Sequence, residues 1–179
     1  MKQEDFAHVL RAAANAAEDN NIIVIGSQAI LGTYSEDELP AEACLSIEVD
    51  IAFLDDPDEL KATKVDGAIG EDSRFHETFG IYGQGVGLAV ADLPSGWLER
   101  CVPVTLQAAY PSTAVCLEAH DIVVAKLSAG REKDYDYARA LIRAGTVSCA
   151  TLRERAALLD TIEAKRRRVV EAIDRFESS

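Results

Sequence analysis

Two acidic residues separated by one position, Glu48 and Asp50, stand in a run of strand formers from Ile47 to Phe53. Side chains alternate faces along a strand, so the two acids project together while Ile47, Val49, Ile51 and Phe53 turn toward a core. Neighbouring carboxylates repel, and a hard cation that favours oxygen ligands, such as Mg²⁺, turns that repulsion into a binding site. Upstream, the apolar run Ile22 to Ile25 breaks at Gly26-Ser27. That break puts backbone N–H groups and a hydroxyl at a helix start, where phosphate is favoured. Downstream, Lys126 follows Ile122, Val123, Val124 and Ala125, and an ammonium emerging from so apolar a helix needs an anion. Each feature also has an ordinary structural reading. Ser27 could cap a short helix, and the acids could line a solvent-facing strand surface. Lys126 could snorkel or pair with Glu118 or Asp121, and Arg131 with Asp134 could be a helix ion pair at i, i+3.

Those side chains need a scaffold, and the patterning supplies one. Residues 4–18 carry Phe6, Val9, Leu10, Ala13 and Ala17 near helical spacing and read as an amphipathic helix feeding a first strand at 22–25. Gln28 to Gly32 predicts a short helix capped by Ser27, and 34–43 a polar loop. Asp55-Asp56-Pro57 predicts the start of a helix through Glu59, Leu60 and Val65. The glycine-dense stretch 80–87 predicts two strands, or one strand with a bulge, and not a phosphate loop, because no helix start follows. A turn at 93–96 and strands at 102–106 and 114–117 complete an α+β (mixed α/β) core over residues 1–117. From 118 the pattern turns helical, with helices at 119–129, 131–144, 150–159 and 161–177 and with Gly130 and Gly145 at expected helix ends. Residues 118–179 therefore predict a C-terminal helical lobe, packed with the core as one compact unit.

A chain of 179 residues with 48% hydrophobic content supports one well-packed core. No run approaches the about 18 apolar residues of a membrane span, and the polar Met1 to Asp5 lacks the apolar run of a secretory signal, so a cytoplasmic protein is expected. Cys44, Cys101, Cys116 and Cys149 form no C-x-x-C pair and read as reduced, mostly buried thiols, while His8, His76 and His120 lie far apart. Carboxylates remain as the one metal-ligand pattern. Residues 1–112 hold 6 Lys+Arg against 20 Asp+Glu, and residues 113–179 hold 12 against 11, so the net charge of −13 divides into −14 and +1. The acidity belongs to the first lobe, which disfavours a polyanion there. The run Lys165-Arg166-Arg167-Arg168, with Arg153 and Arg155 nearby, is the candidate RNA surface, or else a solvated helix face paired with Glu163 and Glu171.

Taken together, Ile25-Gly26-Ser27 and Glu48-Val49-Asp50 resemble the nucleotidyltransferase fold of the DNA polymerase β superfamily: strand, Gly-Ser, short helix, then a strand with two acids one residue apart. Lys126 with Arg131, Lys133 and Asp134 is similar to the later block of bacterial stand-alone nucleotidyltransferases that include the AbiEii- and MenT-type toxins. The segments Gly70 to Gly80 and Leu117 to Asp121 also look like an uncharacterised nucleotidyltransferase-like family close to these. The resemblance implies a small mixed sheet flanked by helices. It further implies a Mg-dependent enzyme that moves an NMP from an NTP to an acceptor hydroxyl, the 3′ end of a tRNA if the toxin resemblance holds, with a cognate antitoxin protein as partner. Glu48 and Asp50 would be the metal ligands and, with Ser27 and Lys126, the catalytic set. Gly26, Ser27, Lys126, Arg131, Lys133 and Asp134 would bind the nucleotide. Glu48 stands where the superfamily usually has Asp, and a Glu reaches the same cation. Asp92 and Glu77 are the candidates for the third acid of many polymerases, an acid that related toxins work without. The alternatives are a small-molecule or protein acceptor, or a fold kept as an inactive nucleotide- or partner-binding module.

Overall fold

The Ala-rich N-terminal pattern forms α1 (Gln3–Ala17), which packs its buried face of Phe6, Val9, Leu10 and Ala13 on the helix and strand that follow the acidic pair. In the computed structural model, which describes residues 1–178, β1 (Ile23–Val24) lies at the centre of a five-stranded mixed sheet. It pairs antiparallel with β2 (Glu48–Ala52) and parallel with β5 (Val115–Cys116). Outside these, β3 (Tyr82–Gly85) runs parallel to β2, and β4 (Val102–Pro103) antiparallel to β5. Helices α2 (Leu60–Ile69), α3 (Arg74–Phe79) and α4 (Trp97–Arg100) lie between the strands in sequence, and α5 (Ala119–Ala129), α6 (Glu132–Arg143), α7 (Cys149–Ala157) and α8 (Glu163–Glu177) follow them. The mixed α+β architecture read from the sequence is therefore present. One continuous hydrophobic core runs from α1 through the sheet into α5, α6, α7 and α8. Among the described residues no helix is long and apolar enough to cross a membrane.

Several local expectations are corrected. The helix after Ser27 is a 3-10 turn over Ser27–Gly32, capped by the backbone of Gly26 with no side-chain cap, so Ser27 does not cap it. Short connecting turns commonly take the tighter 3-10 form. Helix α2 starts at Leu60, later than Pro57 suggests, because Asp56 takes the first free N–H groups: its carboxylate accepts from Lys61 N at 3.0 Å and Ala62 N at 2.9 Å. Ile47 is 44% exposed and lies just outside β2, whereas Val49, Ile51 and Phe53 are buried as expected. The polar loop at 34–43 contains two short 3-10 turns, and the strands at 102–106 and 114–117 shrink to two-residue ladders. Helix α3 occupies a segment with no predicted element, started by the Ser73 hydroxyl and ended by Gly80 in the left-handed region. The four C-terminal helices are present, with Gly130 and Gly145 both at positive φ at the ends of α5 and α6. The four cysteines are free; Cys116 and Cys149 are buried, and Cys44 and Cys101 are half-buried.

The glycine-dense stretch yields a single strand, and close packing explains its glycines. A Cβ on Gly85 would lie 1.9 Å from the backbone carbonyl oxygen of Ala62 in α2. Gly85 N–H also donates to Asp66 Oδ1 at 2.8 Å, which pins β3 under that helix. Backbone cannot yield as a side-chain tip can. Gly85→Ala is therefore expected to cost about 2 kcal/mol, read as a lower urea midpoint at unchanged slope. An unchanged midpoint would contradict this packing.

Candidate active site

Strand alternation sends Val49 and Ile51 into the core and leaves Glu48 and Asp50 on the opposite, partly exposed face. The turn from β1 passes directly over the second acid. Ile25 N–H donates to the Asp50 carbonyl at 3.2 Å, and a Cβ on Gly26 would fall 1.5 Å from Asp50 Oδ2. Position 26 must lack a side chain for the carboxylate to sit where it does. From the other side α6 is tied to the same turn, because the buried Tyr137 donates its hydroxyl to the Ser27 carbonyl at 2.9 Å. Lys126 Nζ lies 5.3 Å from the centre of the Tyr137 ring.

Asp134 organises the cations. It is fully buried and accepts from Lys126 Nζ at 3.3 Å, Arg131 Nε at 2.7 Å, Arg131 Nη2 at 3.2 Å and the Arg131 backbone N–H at 3.2 Å. Lys126 thus pairs with Asp134 and not with Glu118 or Asp121, and the Arg131–Asp134 ion pair at i, i+3 is present. Burial pushes the Asp134 carboxyl up, but the Arg131 hydrogen bond and the charges of Lys126 and Arg131 outweigh it and hold the group below its ordinary value. Buried at the wall of the site, Asp134 orients Lys126 and Arg131. The exposed Lys133 is held by no ion pair among the described residues, and its charge acts on Glu48 and Asp50.

The acids are in the opposite condition. Among the described residues neither Glu48 nor Asp50 forms a salt bridge, and both carboxyls are pushed above their ordinary values. For Asp50 the chief cause is burial, partly offset by Lys126, Arg131 and Lys133; for Glu48 it is burial and then the charge of Asp50. Beside them burial and the Glu48 charge push the Tyr82 hydroxyl up to about 12. A carboxyl that binds its proton more tightly folded than unfolded costs stability as pH climbs through the interval between the two values, and the cost is full above it. Asp50→Asn is therefore expected to raise the melting temperature of the ligand-free protein at neutral pH. A fall in melting temperature would contradict that assignment.

These residues converge on one cleft of about 890 Å³, lined by Ser27, Glu48, Asp50, Lys126, Arg131, Lys133 and Asp134. Gly26 lines a smaller neighbouring compartment that shares Asp50, Lys126 and Arg131 with the first. The cleft also holds residues that sequence reasoning missed, Gln28, Tyr137, Arg139 and Arg143. The spacing of Arg139 and Arg143, one helical turn apart on α6, was the available signal for the two arginines. Among the described residues no group of three or more His, Cys, Asp or Glu could hold a metal. Two hard oxygen anions without cationic partners do fit Mg²⁺, which keeps several waters and is bound through one or two carboxylates plus substrate phosphates.

Residues 4–178 match the model of a family described as nucleotidyltransferase of unknown function (DUF6036). The chain belongs to this family. Comparison with curated proteins and with solved structures gives no match.

Within this nucleotidyltransferase the candidate third acids stand apart from Glu48. Glu77 is exposed on α3 and lines neither compartment, while Asp92 lines the smaller one, where it accepts from Ser128 Oγ at 2.7 Å and from Lys165. The basic residues considered for RNA are largely engaged inside the chain. Arg153 pairs with Asp174 at 2.8 Å and with Glu177, and Arg155 lies 3.3 Å from the fully buried Asp121, which Arg100 also binds at 2.8 Å. Arg166 pairs with Glu163 at 2.7 Å, and Arg168 donates to the Ser128 carbonyl at 2.8 Å. Glu171 pairs with none of them among the described residues. Arg167 is exposed and has no ion pair among the described residues. Lys165 and Arg168 thus fasten α8 to Asp92 and to the end of α5.

Proposed function

We propose that this cleft is a Mg-dependent nucleotidyltransferase active site, moving an NMP from an NTP to the 3′ hydroxyl of a tRNA as the toxin of a toxin–antitoxin system. The observation that carries the transfer chemistry is the placement of two acids without ion-pair partners, Glu48 and Asp50, opposite Lys126 and Arg131 around one space, with the Gly26 backbone against Asp50. Glu48 and Asp50 would hold Mg²⁺, which when bound neutralises triphosphate charge and polarises the reacting phosphoryl group. Lys126 and the 60% exposed Arg131 stabilise the charge that develops on the leaving pyrophosphate. Ser27 and its turn position the phosphates, so the rate gain comes from orientation and preorganised charge. In the transfer an acceptor oxygen–phosphorus bond forms at the α-phosphorus and the bond to pyrophosphate breaks.

The tRNA acceptor and the antitoxin partner rest on the likeness of Lys126, Arg131, Lys133 and Asp134 to the toxin block. Lys133, Arg139 and Arg143 add cations along the cleft where an RNA end would enter. A small-molecule or protein acceptor is the second reading, favoured by the internal engagement of Arg153, Arg155, Lys165, Arg166 and Arg168. Incubation with each α-phosphate-labelled NTP, Mg²⁺ and total tRNA is expected to label tRNA, and Asp50→Ala to remove the label. Label on a protein or a small molecule would replace tRNA as the acceptor. Labelling that survives Asp50→Ala would remove the cleft from the reaction.

A further inference from the structure

On the far side of Asp50 from Glu48 lies the second compartment, about 410 Å³, walled by Ile25, Val90, Leu117, Ile122 and Ala125. It shares Asp50, Lys126 and Arg131 with the main cleft. Ile25, Val90, Leu117, Ile122 and Ala125 share its lining with the charged Asp92 and Lys165, and Val90 is left 68% exposed. Apolar side chains beside a few placed polar groups suit a flat heteroaromatic ring.

The polar groups are specific in their arrangement. Ser128 Oγ and Lys165 Nζ both donate to Oδ2 of Asp92, and among the described residues Oδ1 has no hydrogen-bond partner. The Lys165 and Ser128 hydrogen bonds hold the Asp92 carboxyl below its ordinary value, so it stays an ionised acceptor at neutral pH. Next to that acceptor stands an ammonium with protons to spare. A carboxylate oxygen beside an ammonium presents an acceptor and a donor side by side, the complement of a nucleobase edge, on which a donor and an acceptor also adjoin.

We propose that this compartment receives the base of the NTP and that Asp92, through its free Oδ1, is a specificity-determining residue that reads the base edge together with Lys165. The inference rests on the NTP reading of the main cleft. A triphosphate held by Lys126 and Arg131 next to Asp50 lies at the residues that line both compartments, which brings its nucleoside within reach of the smaller one. The larger cleft, with Lys133, Arg139 and Arg143, is left for the acceptor. Asp92 thus serves base selection, apart from the acid pair.

Isothermal titration of the full chain with Mg²⁺ and each of ATP, GTP, CTP and UTP, and with Mg²⁺-tripolyphosphate, tests this. The wild type should rank the NTPs and bind the best of them more tightly than tripolyphosphate. Asp92→Asn, which offers an amide N–H₂ where the wild type only accepts, should shrink the preference by about tenfold, the worth of one hydrogen bond made or lost at the base. Tripolyphosphate binding should stay unchanged. Ala129→Phe, at an exposed wall position of the same compartment, should weaken all NTPs and spare tripolyphosphate, and it keeps the test decisive if Asp92→Asn unfolds. If both variants keep the wild-type ranking and affinities, the base lies elsewhere and the NTP reading survives. If neither NTP nor tripolyphosphate binds the wild type, both readings fall.

Discussion

Gly26→Ala is expected to leave the protein folded and to lower nucleotidyl transfer by about a hundredfold, the scale of loss that a misplacement near 1 Å produces. The new Cβ would fall 1.5 Å from Asp50 Oδ2 and 2.6 Å from its Cγ. The atom in the way is the tip of a side chain, so the clash is relieved by rotating the carboxylate aside and not by moving β1 or β2. Stability is preserved because the core faces of both strands are untouched. Activity is lost because the displaced oxygen is the proposed metal ligand. Circular dichroism and melting temperature near wild type, with transfer reduced, is the expected combination. Wild-type transfer in this variant would show that the position of Asp50 does not matter.

The second large effect is expected from Asp134→Ala, and it falls on stability and on binding together. Asp134 is the counter-charge for Lys126, whose side chain is only 15% exposed, and it also caps α6 through the Arg131 N–H. Removing one member of a buried pair leaves the other charge unpaired, at a cost of about 3 kcal/mol, to which the exposed Arg131 adds little. Because the Asp134 carboxyl is held below its ordinary value, its stabilising contribution is present above the ordinary carboxylate range and is lost as pH falls through the lower folded value. The stability difference between wild type and variant should therefore be large at neutral pH and shrink in strong acid. NTP affinity should fall at neutral pH, since Lys126 and Arg131 lose the group that holds them over the cleft. Chemical unfolding at several pH values and NTP titration check both halves; a pH-independent difference would place the effect in packing alone.

Much of the site was legible because its signals are local. Two acids at i, i+2 on a strand share a face whatever the tertiary structure, and Glu48 and Asp50 do so. A lysine amid Ile122, Val123 and Val124 must find an anion, and Lys126 does, although the anion is Asp134 from the next helix and not Glu118 or Asp121. The four C-terminal helices followed from periodicity and their terminal glycines. What was not legible depends on long-range approach. The reason for Gly26 is the Asp50 carboxylate, far away in sequence, and the reason for Gly85 is a carbonyl of α2. Parallel pairing of β3 with β2 leaves no mark in a glycine-dense segment whose side chains are too few to show alternation. The contacts of the basic run of α8 were not legible for the same reason: its partners Asp92 and the Ser128 carbonyl reach it only in the folded chain. Glu163, three residues before Arg166, was the one partner visible in advance.

The most direct measurement is the fate of the two ends of the triphosphate. With Mg²⁺, an acceptor and NTP labelled separately on the α- and γ-phosphates, the α label should move to the acceptor while the γ label leaves as pyrophosphate in equal amount, and Asp50→Ala should stop both. Transfer of the γ label to the acceptor, or equal turnover by wild type and Asp50→Ala, would contradict nucleotidyl transfer at the Glu48–Asp50 site.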